Sequence, residues 1–179
     1  MRIGCVIALL IATPAGADVF QTAETLPHGQ WMLRGVGSLY VLPAVTGHGF
    51  AVLQRGVSSR TQLEARLGFG LLSPYVGAFA KWRAWEWKGL LASVWGGVHS
   101  QDFFHVSVGP VLSFVAGELW SVPVRVVVAG IGRRSFNLVG DYRFASMLGV
   151  ETDHAFVEWQ RGWVSDVDTL SAGLKWKLN

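Results

Sequence analysis

The chain has 179 residues, of which 51% are hydrophobic and only 15% are charged, and its formal net charge is +3. Typical soluble domains carry about 25% charged residues, so the composition argues against an ordinary soluble domain. The small, dispersed positive charge also argues against nucleic-acid binding. No stretch after the N-terminus approaches the ~18 consecutive apolar residues of a membrane helix.

The N-terminus has the pattern of a secretory signal peptide. Arg2 supplies a positive charge, an apolar stretch follows, and residues 15–17 form a small-residue cleavage site. We therefore expect residues 1–17 to be removed and residues 18–179 to form one domain. The single cysteine, Cys5, lies in the removed part. The mature chain would then have no thiol for disulfides, catalysis or metal binding, and no cofactor is predicted.

The rest of the chain alternates polar and apolar residues in about ten segments. In the last one, Leu170, Leu174 and Leu178 share a face, while Ser171 and Lys175 lie on the other. A strand directs successive side chains to opposite faces, and transmembrane barrel strands of about 9–11 residues show this pattern. The predicted strands are 30–42, 49–57, 62–71, 76–86, 90–99, 105–116, 122–133, 138–148, 153–161 and 170–178.

These segments predict an all-β fold, a closed antiparallel up-and-down transmembrane β-barrel. Ten strands fit best, and eight or twelve are the alternatives, because strand boundaries are the least certain part of such a prediction. Pro110 lies inside the sixth segment, where it removes a ladder hydrogen bond. We expect a β-bulge or a strand boundary at Pro110.

The turn between the second and third segments is Gly56, an aliphatic residue, two serines, Arg60 and a threonine. This turn resembles a periplasmic hairpin common in bacterial outer-membrane barrels, and residues 26–31 resemble the start of their first strand. The resemblance covers the architecture of the mature chain. It implies the outer membrane of a Gram-negative bacterium, contact with outer-membrane lipid and a barrel-assembly machinery as partner during biogenesis.

Aromatic residues cluster near the predicted strand ends, as the two aromatic belts of a membrane barrel require. One belt would contain Trp31, Trp85, Trp87, Trp120 and Trp176, and the other Tyr40, Phe50, Tyr75, Phe103, Phe104, Phe136 and Trp163.

The inward faces carry charges of both signs. One interpretation is a cation-rich lumen that favours anions, and the other is a packed network of paired charges filling a narrow barrel. We favour the second, because Glu64, Asp141 and Glu158 can each pair with a basic residue on a neighbouring strand. The predicted lumen-lining residues are Arg34, Glu64, Arg66, Lys81, Arg83, Arg125, Asp141, Arg143, Glu158, Lys175 and Lys177.

His105, Ser107 and Glu118 resemble the catalytic residues of outer-membrane lipid A deacylases. That resemblance implies His105 as the base, Ser107 as the nucleophile and Glu118 as the acid that orients the imidazole. The family follows its serine with asparagine, whereas Val108 stands here. Glu118 is also predicted in a turn, residues 117–121, at the opposite membrane surface. We therefore favour a protein that is not an enzyme.

Three histidines, His48, His99 and His105, are predicted near one rim. Histidines on separate strand ends rarely converge on one metal ion, so no metal site is predicted.

The function that these observations favour is a structural barrel or a narrow, porin-like channel with a polar, net-basic lumen and a role in envelope assembly. Short connections leave no long loops, where receptor and adhesin functions are usually found. The alternatives are a membrane-embedded lipid-modifying hydrolase and a secreted soluble barrel that binds an apolar ligand. The oligomeric state is not determined by these patterns.

Overall fold

A computed structural model describes residues 22–40, 46–70, 74–101, 103–136, 142–163 and 168–178. The predicted signal peptide and Asp141 lie outside the described residues. No helix in these ranges is long and apolar enough to cross a membrane. The strands are β1 (Trp31–Tyr40), β2 (Thr46–Gly56), β3 (Thr61–Gly70), β4 (Pro74–Trp87), β5 (Leu90–Gln101), β6 (Phe103–Leu119), β7 (Val122–Ser135), β8 (Tyr142–Glu151), β9 (Ala155–Gly162) and β10 (Asp168–Leu178).

The ten strands form one closed antiparallel barrel in up-and-down order. Each strand pairs with its neighbours in sequence, and β1 pairs with β10 to complete the ring. Inside the barrel, the hydroxyl oxygens of Ser38 and Ser171 are 2.8 Å apart across this closing pair. Closure leaves no unpaired sheet edge. The prediction of an all-β, closed antiparallel up-and-down barrel and the prediction of ten strands are confirmed.

The two rims of the barrel differ in how the strands are connected. The terminal rim, as we call it, contains Trp31, Leu178 and the β2–β3, β4–β5, β6–β7 and β8–β9 turns. Two of these turns have two residues with positive φ, Lys88 at 47° with Gly89 at 83°, and Trp120 at 50° with Ser121 at 65°. Such paired values match the twist of the flanking strands in tight hairpins.

Two β-bulges lie near the terminal rim, between Arg83 and Trp85 in β4 and between Val115 and Gly117 in β6. A bulge adds one residue to a strand and so changes which face the following residues occupy. Trp85 and Trp87 therefore face outward, although Arg83 faces the lumen. Their rings stack with centroids 6.1 Å apart.

The expected bulge or boundary at Pro110 was wrong. Pro110 lies inside β6, and the register with β7 is the same on both sides of it. The ladder only lacks the pairs at Gly109 and Pro110, because proline has no N–H to donate. A Cβ at Gly109 would lie 1.8 Å from the carbonyl oxygen of Gly130, so this close approach of two backbones requires glycine.

The middle of the lumen is apolar, which the sequence interpretation of a polar lumen did not include. Large side chains from β4 to β8 fill it and form one buried cluster. Its strand residues are Phe79, Trp95, Val111, Val127, Ala129, Ile131 and Met147. A barrel of this size closes its interior with side chains, as narrow barrels do.

Candidate functional site

The predicted lumen-lining residues, apart from Asp141, all lie at inward positions of their strands. Arg83 and Arg143 are half-buried, Lys177 is exposed at the terminal rim, and the others are buried or nearly buried. The buried or nearly buried members are Arg34, Glu64, Arg66, Lys81, Arg125, Glu158 and Lys175.

Glu151 is the centre of the ion pairs near the terminal rim. Arg34 and Lys175 are directly opposite each other on β1 and β10, where two like charges would repel. The Glu151 carboxylate lies 3.6 Å from the Arg34 guanidinium and 3.2 Å from the Lys175 ammonium. Glu151 therefore places one negative charge between two buried cations. It is absent from the predicted set because the predicted eighth strand ends at residue 148, whereas β8 continues to Glu151.

Glu64 was expected to pair with a basic residue on a neighbouring strand, but its ion-pair partner lies on its own strand. Its carboxylate accepts a hydrogen bond from Arg66 on its own strand and another, at 2.9 Å, from the Gln54 amide on β2. The Arg66 guanidinium also lies over the Phe79 ring, 4.0 Å from its centroid. This cation–π contact joins the charged part of the lumen to its apolar middle.

An N-terminal segment, residues 22–30, enters the barrel at the terminal rim. We call it the inserted segment. Ala23 is fully buried and packs within the apolar cluster of the lumen. Ser113 accepts a hydrogen bond from the Ala23 N–H at 3.1 Å, Ser93 donates to its carbonyl, and Lys81 donates to the carbonyls of Thr22 and Glu24. Polar side chains from three strands therefore satisfy the backbone groups of this segment, which is not part of a strand.

The inserted segment is also attached to the ends of β2 and β3 that flank the β2–β3 turn. The Leu26 N–H donates to the Gln62 side chain at 3.0 Å, and the Gly29 N–H donates to the Gly56 carbonyl at 2.8 Å. A Cβ at Gly56 would lie only 2.0 Å from the Pro27 carbonyl oxygen, so the close approach requires glycine here. Residues 26–31 predict only the start of the first strand, because no local pattern indicates that this segment contacts Gly56.

Arg125 connects the inserted segment to the β8–β9 turn. Its guanidinium lies 3.2 Å from Glu24 and 2.9 Å from Asp153. Burial disfavours the charged form of Asp153, but the hydrogen bond and the positive charge of Arg125 outweigh it and lower the pKa of this carboxyl. Asp153 is therefore an anion at neutral pH and keeps the ion pair at the rim.

Rings and imidazoles fill the lumen near the rim opposite the terminal rim. Tyr40, Phe50 and Tyr75 are buried there and face inward. The prediction that they belong to the exposed aromatic belt of this rim was therefore wrong. The rings of His99 and His105 stack at 4.8 Å, and His48 packs against Tyr40 at the same distance. Among the described residues, no group of three or more His, Cys, Asp or Glu is placed to hold a metal ion.

The three catalytic candidates are not brought together. The His105 ring nitrogen lies 2.9 Å from the hydroxyl of Ser135 on β7. Ser107 faces the lumen at 1% exposure, and Glu118 lies near the other end of β6, roughly 40 Å away along the strand. A nucleophilic serine needs a hydrogen bond to a base, and that base needs an acidic side chain that orients it. This geometry provides neither for Ser107.

We expect Ser107→Ala to leave the lipid A acyl pattern of the host cell unchanged. Ser107 is buried among lumen side chains, where an acyl chain has no access. Mass spectrometry of lipid A from cells that express the wild type or the variant, against cells that lack the gene, measures this. An acyl chain lost with the wild type and retained with the variant would contradict the prediction.

The predicted belt tryptophans are exposed at the rims. Trp31, Trp85, Trp87, Trp120 and Trp176 lie at the terminal rim, and Trp163 lies at the opposite rim. Phe103, Phe104 and Phe136 are also exposed at that opposite rim. Exposed aromatic side chains therefore lie at both ends of the barrel.

Comparison with known proteins identifies no family. No family model matches the chain, and no curated protein matches it either. Among solved structures, the chain is similar to one described as "De novo design of transmembrane beta-barrels", at 14% sequence identity and a TM-score of 0.42. The similarity covers 87% of this chain and 99% of the designed one.

Proposed function

We propose that this protein is an integral barrel of the bacterial outer membrane whose closed lumen gives it a structural or envelope-assembly role. The observation that carries the proposal is the outer surface. Leu, Val, Phe, Trp, Ala and Gly occupy nearly every outward position of the described strands. The charged exceptions are Arg55, Arg134, Arg161 and Asp168, each within one residue of a strand end. A soluble barrel would have a solvated, polar outer face.

The dimensions of the barrel support a membrane location. β1 has 10 residues, which extend about 33 Å along the strand. With the usual tilt of about 35–45°, such a strand spans the apolar band of about 25 Å that outer-membrane barrels present. Arg55 lies over the Trp31 ring, 5.0 Å from its centroid, at one edge of this band. Arginine with tryptophan suits the headgroup level.

The filled interior supports a closed lumen over an open channel. The inserted segment occupies the terminal side, the apolar cluster the middle, and Tyr40, Phe50 and Tyr75 the other side. On this proposal, residues 1–17 direct export, barrel-assembly machinery inserts the chain, and outer-membrane lipid covers the apolar face.

The experiment that tests the location expresses the full chain in a Gram-negative host and separates the membranes. We expect the protein in the outer-membrane fraction, with faster gel migration when unboiled than when boiled, because a closed barrel resists detergent unfolding. Recovery in the soluble fraction without detergent would contradict the proposal and favour the secreted, ligand-binding barrel.

We expect the purified barrel to show no steady conductance in planar lipid bilayers. The inserted segment and the apolar cluster fill the path that ions would take. An open porin measured in the same bilayers serves as the control for insertion and sensitivity. A stable, anion-selective current from the wild type would contradict the closed lumen and would show that the protein is a channel.

A further inference from the structure

An arginine held between two aromatic rings lies on the outer face of the barrel, at the rim opposite the terminal rim. Arg134 faces outward one residue before the end of β7, and its side chain is exposed. Its guanidinium carbon lies 5.1 Å from the centroid of the Phe136 ring and 5.1 Å from that of the Tyr142 ring. Two cation–π contacts therefore hold this side chain at one place on the surface.

The positive charge of Arg134 has no anionic partner within the described ranges. No carboxylate there forms an ion pair with this guanidinium. An aromatic ring attracts a guanidinium through its quadrupole but carries no net charge. A guanidinium also has five N–H donors, which aromatic rings accept only weakly. Arg134 can therefore take an anionic acceptor without breaking an existing ion pair.

On the terminal-rim side of Arg134, the outer face of β7 is a shallow apolar groove. Gly132 and Gly130 occupy the next two outward positions. A Cβ at Gly132 would lie 3.7 Å from the Phe144 ring on β8, and one at Gly130 would lie 3.7 Å from the Pro110 ring on β6. Larger apolar side chains therefore flank the glycines on both sides. The groove leads from the guanidinium toward the middle of the apolar outer face.

We propose that this site binds a membrane lipid whose headgroup is a phosphate monoester. Such a group carries about −1.5 to −2 charges at neutral pH. The planar guanidinium of Arg134 can donate two parallel hydrogen bonds to its oxygens. One acyl chain lies in the groove over Gly130 and Gly132, which a free phosphate ion would leave empty. The inference rests on the proposed membrane location, in which lipid covers the apolar face.

The test uses native mass spectrometry of the purified barrel in nonionic detergent, with equal amounts of phosphatidic acid and phosphatidylcholine that have the same acyl chains. Phosphatidic acid exposes a phosphate monoester, whereas the phosphate of phosphatidylcholine carries a choline cation. We expect the barrel to retain phosphatidic acid in preference. Equal retention of both lipids, or displacement of the phosphatidic acid by an equimolar amount of inorganic phosphate, would overturn the lipid site.

This measurement is separate from the membrane location. Lipid adducts form in detergent micelles whatever the location of the protein in the cell, and fractionation reports only that location. An outer-membrane protein without a preference for phosphatidic acid would overturn this site and leave the proposed function standing. A soluble protein would overturn the proposed function first.

Two arginines at the same rim separate this site from general attraction of anionic lipid. Arg134→Gln should lower the preference for phosphatidic acid about fivefold, the effect of one basic side chain at a membrane surface. Arg161 is the matched control, because it is also exposed and outward but has Asp168 directly opposite it on β10. Arg161→Gln should keep the wild-type preference. Equal losses in both variants, or none in Arg134→Gln, would overturn the site.

Gly130→Val tests the groove. The Cβ of valine would lie at ordinary contact distance from Pro110, so the barrel should fold, and gel migration of the unboiled protein checks this. We expect lower retention of both lipids with the preference for phosphatidic acid kept, because the filled groove excludes the acyl chain and Arg134 is unchanged. Unchanged retention would overturn the assignment of the groove to a lipid chain.

Discussion

Leu174→Arg is expected to destabilise the barrel in lipid by about 2–4 kcal/mol, the cost of arginine at a lipid-facing position near the bilayer midplane, where the proposed membrane location puts this residue. Leu174 lies in the middle of β10, is 54% exposed and faces outward. In lipid, an exposed leucine is in a favourable environment, whereas a guanidinium there loses its hydration. Denaturant unfolding in lipid vesicles, followed by tryptophan fluorescence, measures the difference.

Leu178→Arg is the matched control for that variant. Leu178 is on the same strand and the same face but at the terminal rim, next to Trp31 in the ladder. The cost of arginine there falls to about 0–1 kcal/mol, because the side chain reaches the headgroups. Equal costs at both positions would mean that no apolar slab surrounds the barrel, and the membrane proposal would fail.

Glu151→Gln is expected to lower the free energy of unfolding by about 3–5 kcal/mol, the usual cost of removing one partner of a buried ion pair. Glu151 is the carboxylate between Arg34 and Lys175, and the side chains of all three are buried. Glutamine keeps the shape but not the charge, so two opposed cations would face each other across the β1–β10 closure. The same unfolding measurement reports this loss.

The Arg83–Glu86 pair provides the control at the same rim. Its atoms are 3.3 Å apart, but the Glu86 side chain is 59% exposed. Exposed pairs contribute about 0–1 kcal/mol, so Glu86→Gln should change the unfolding free energy by no more than that. If Glu151→Gln were equally mild, the charges near Glu151 would have to be solvated, and the lumen would be wetter than this packing implies.

Strand positions follow from local alternation, which is why the sequence predicted them closely. The seventh predicted strand, residues 122–133, corresponds to β7 at Val122–Ser135, and both begin at the same residue. A strand has a side-chain period of two, so an apolar outer face and an inner face appear directly in the sequence. Lys175 and Leu174 were assigned to opposite faces on this basis, and they lie on opposite faces.

Alternation fails where a bulge changes the phase or where both faces are apolar. The extra residue at Ala84 changes the faces of Trp85 and Trp87, and no local signal identifies it. In β7, Val127 and Ile131 face the lumen while Val126 and Val128 face outward. This run of apolar residues on both faces of β7 is visible in the sequence, and it indicates a lumen that is partly apolar.

By itself, the sequence determined the all-β barrel class and most of the inner and outer faces, and it favoured ten strands over eight or twelve, because alternation depends on neighbours a few residues apart. Only the tertiary structure decided which charges meet and what fills the barrel. Glu151 contacts Arg34 because β1 closes on β10 and brings distant strands around one narrow lumen. Ala23 contacts Ser113 because the inserted segment folds back through the rim. Such contacts depend on strand register and ring closure, which no local pattern encodes.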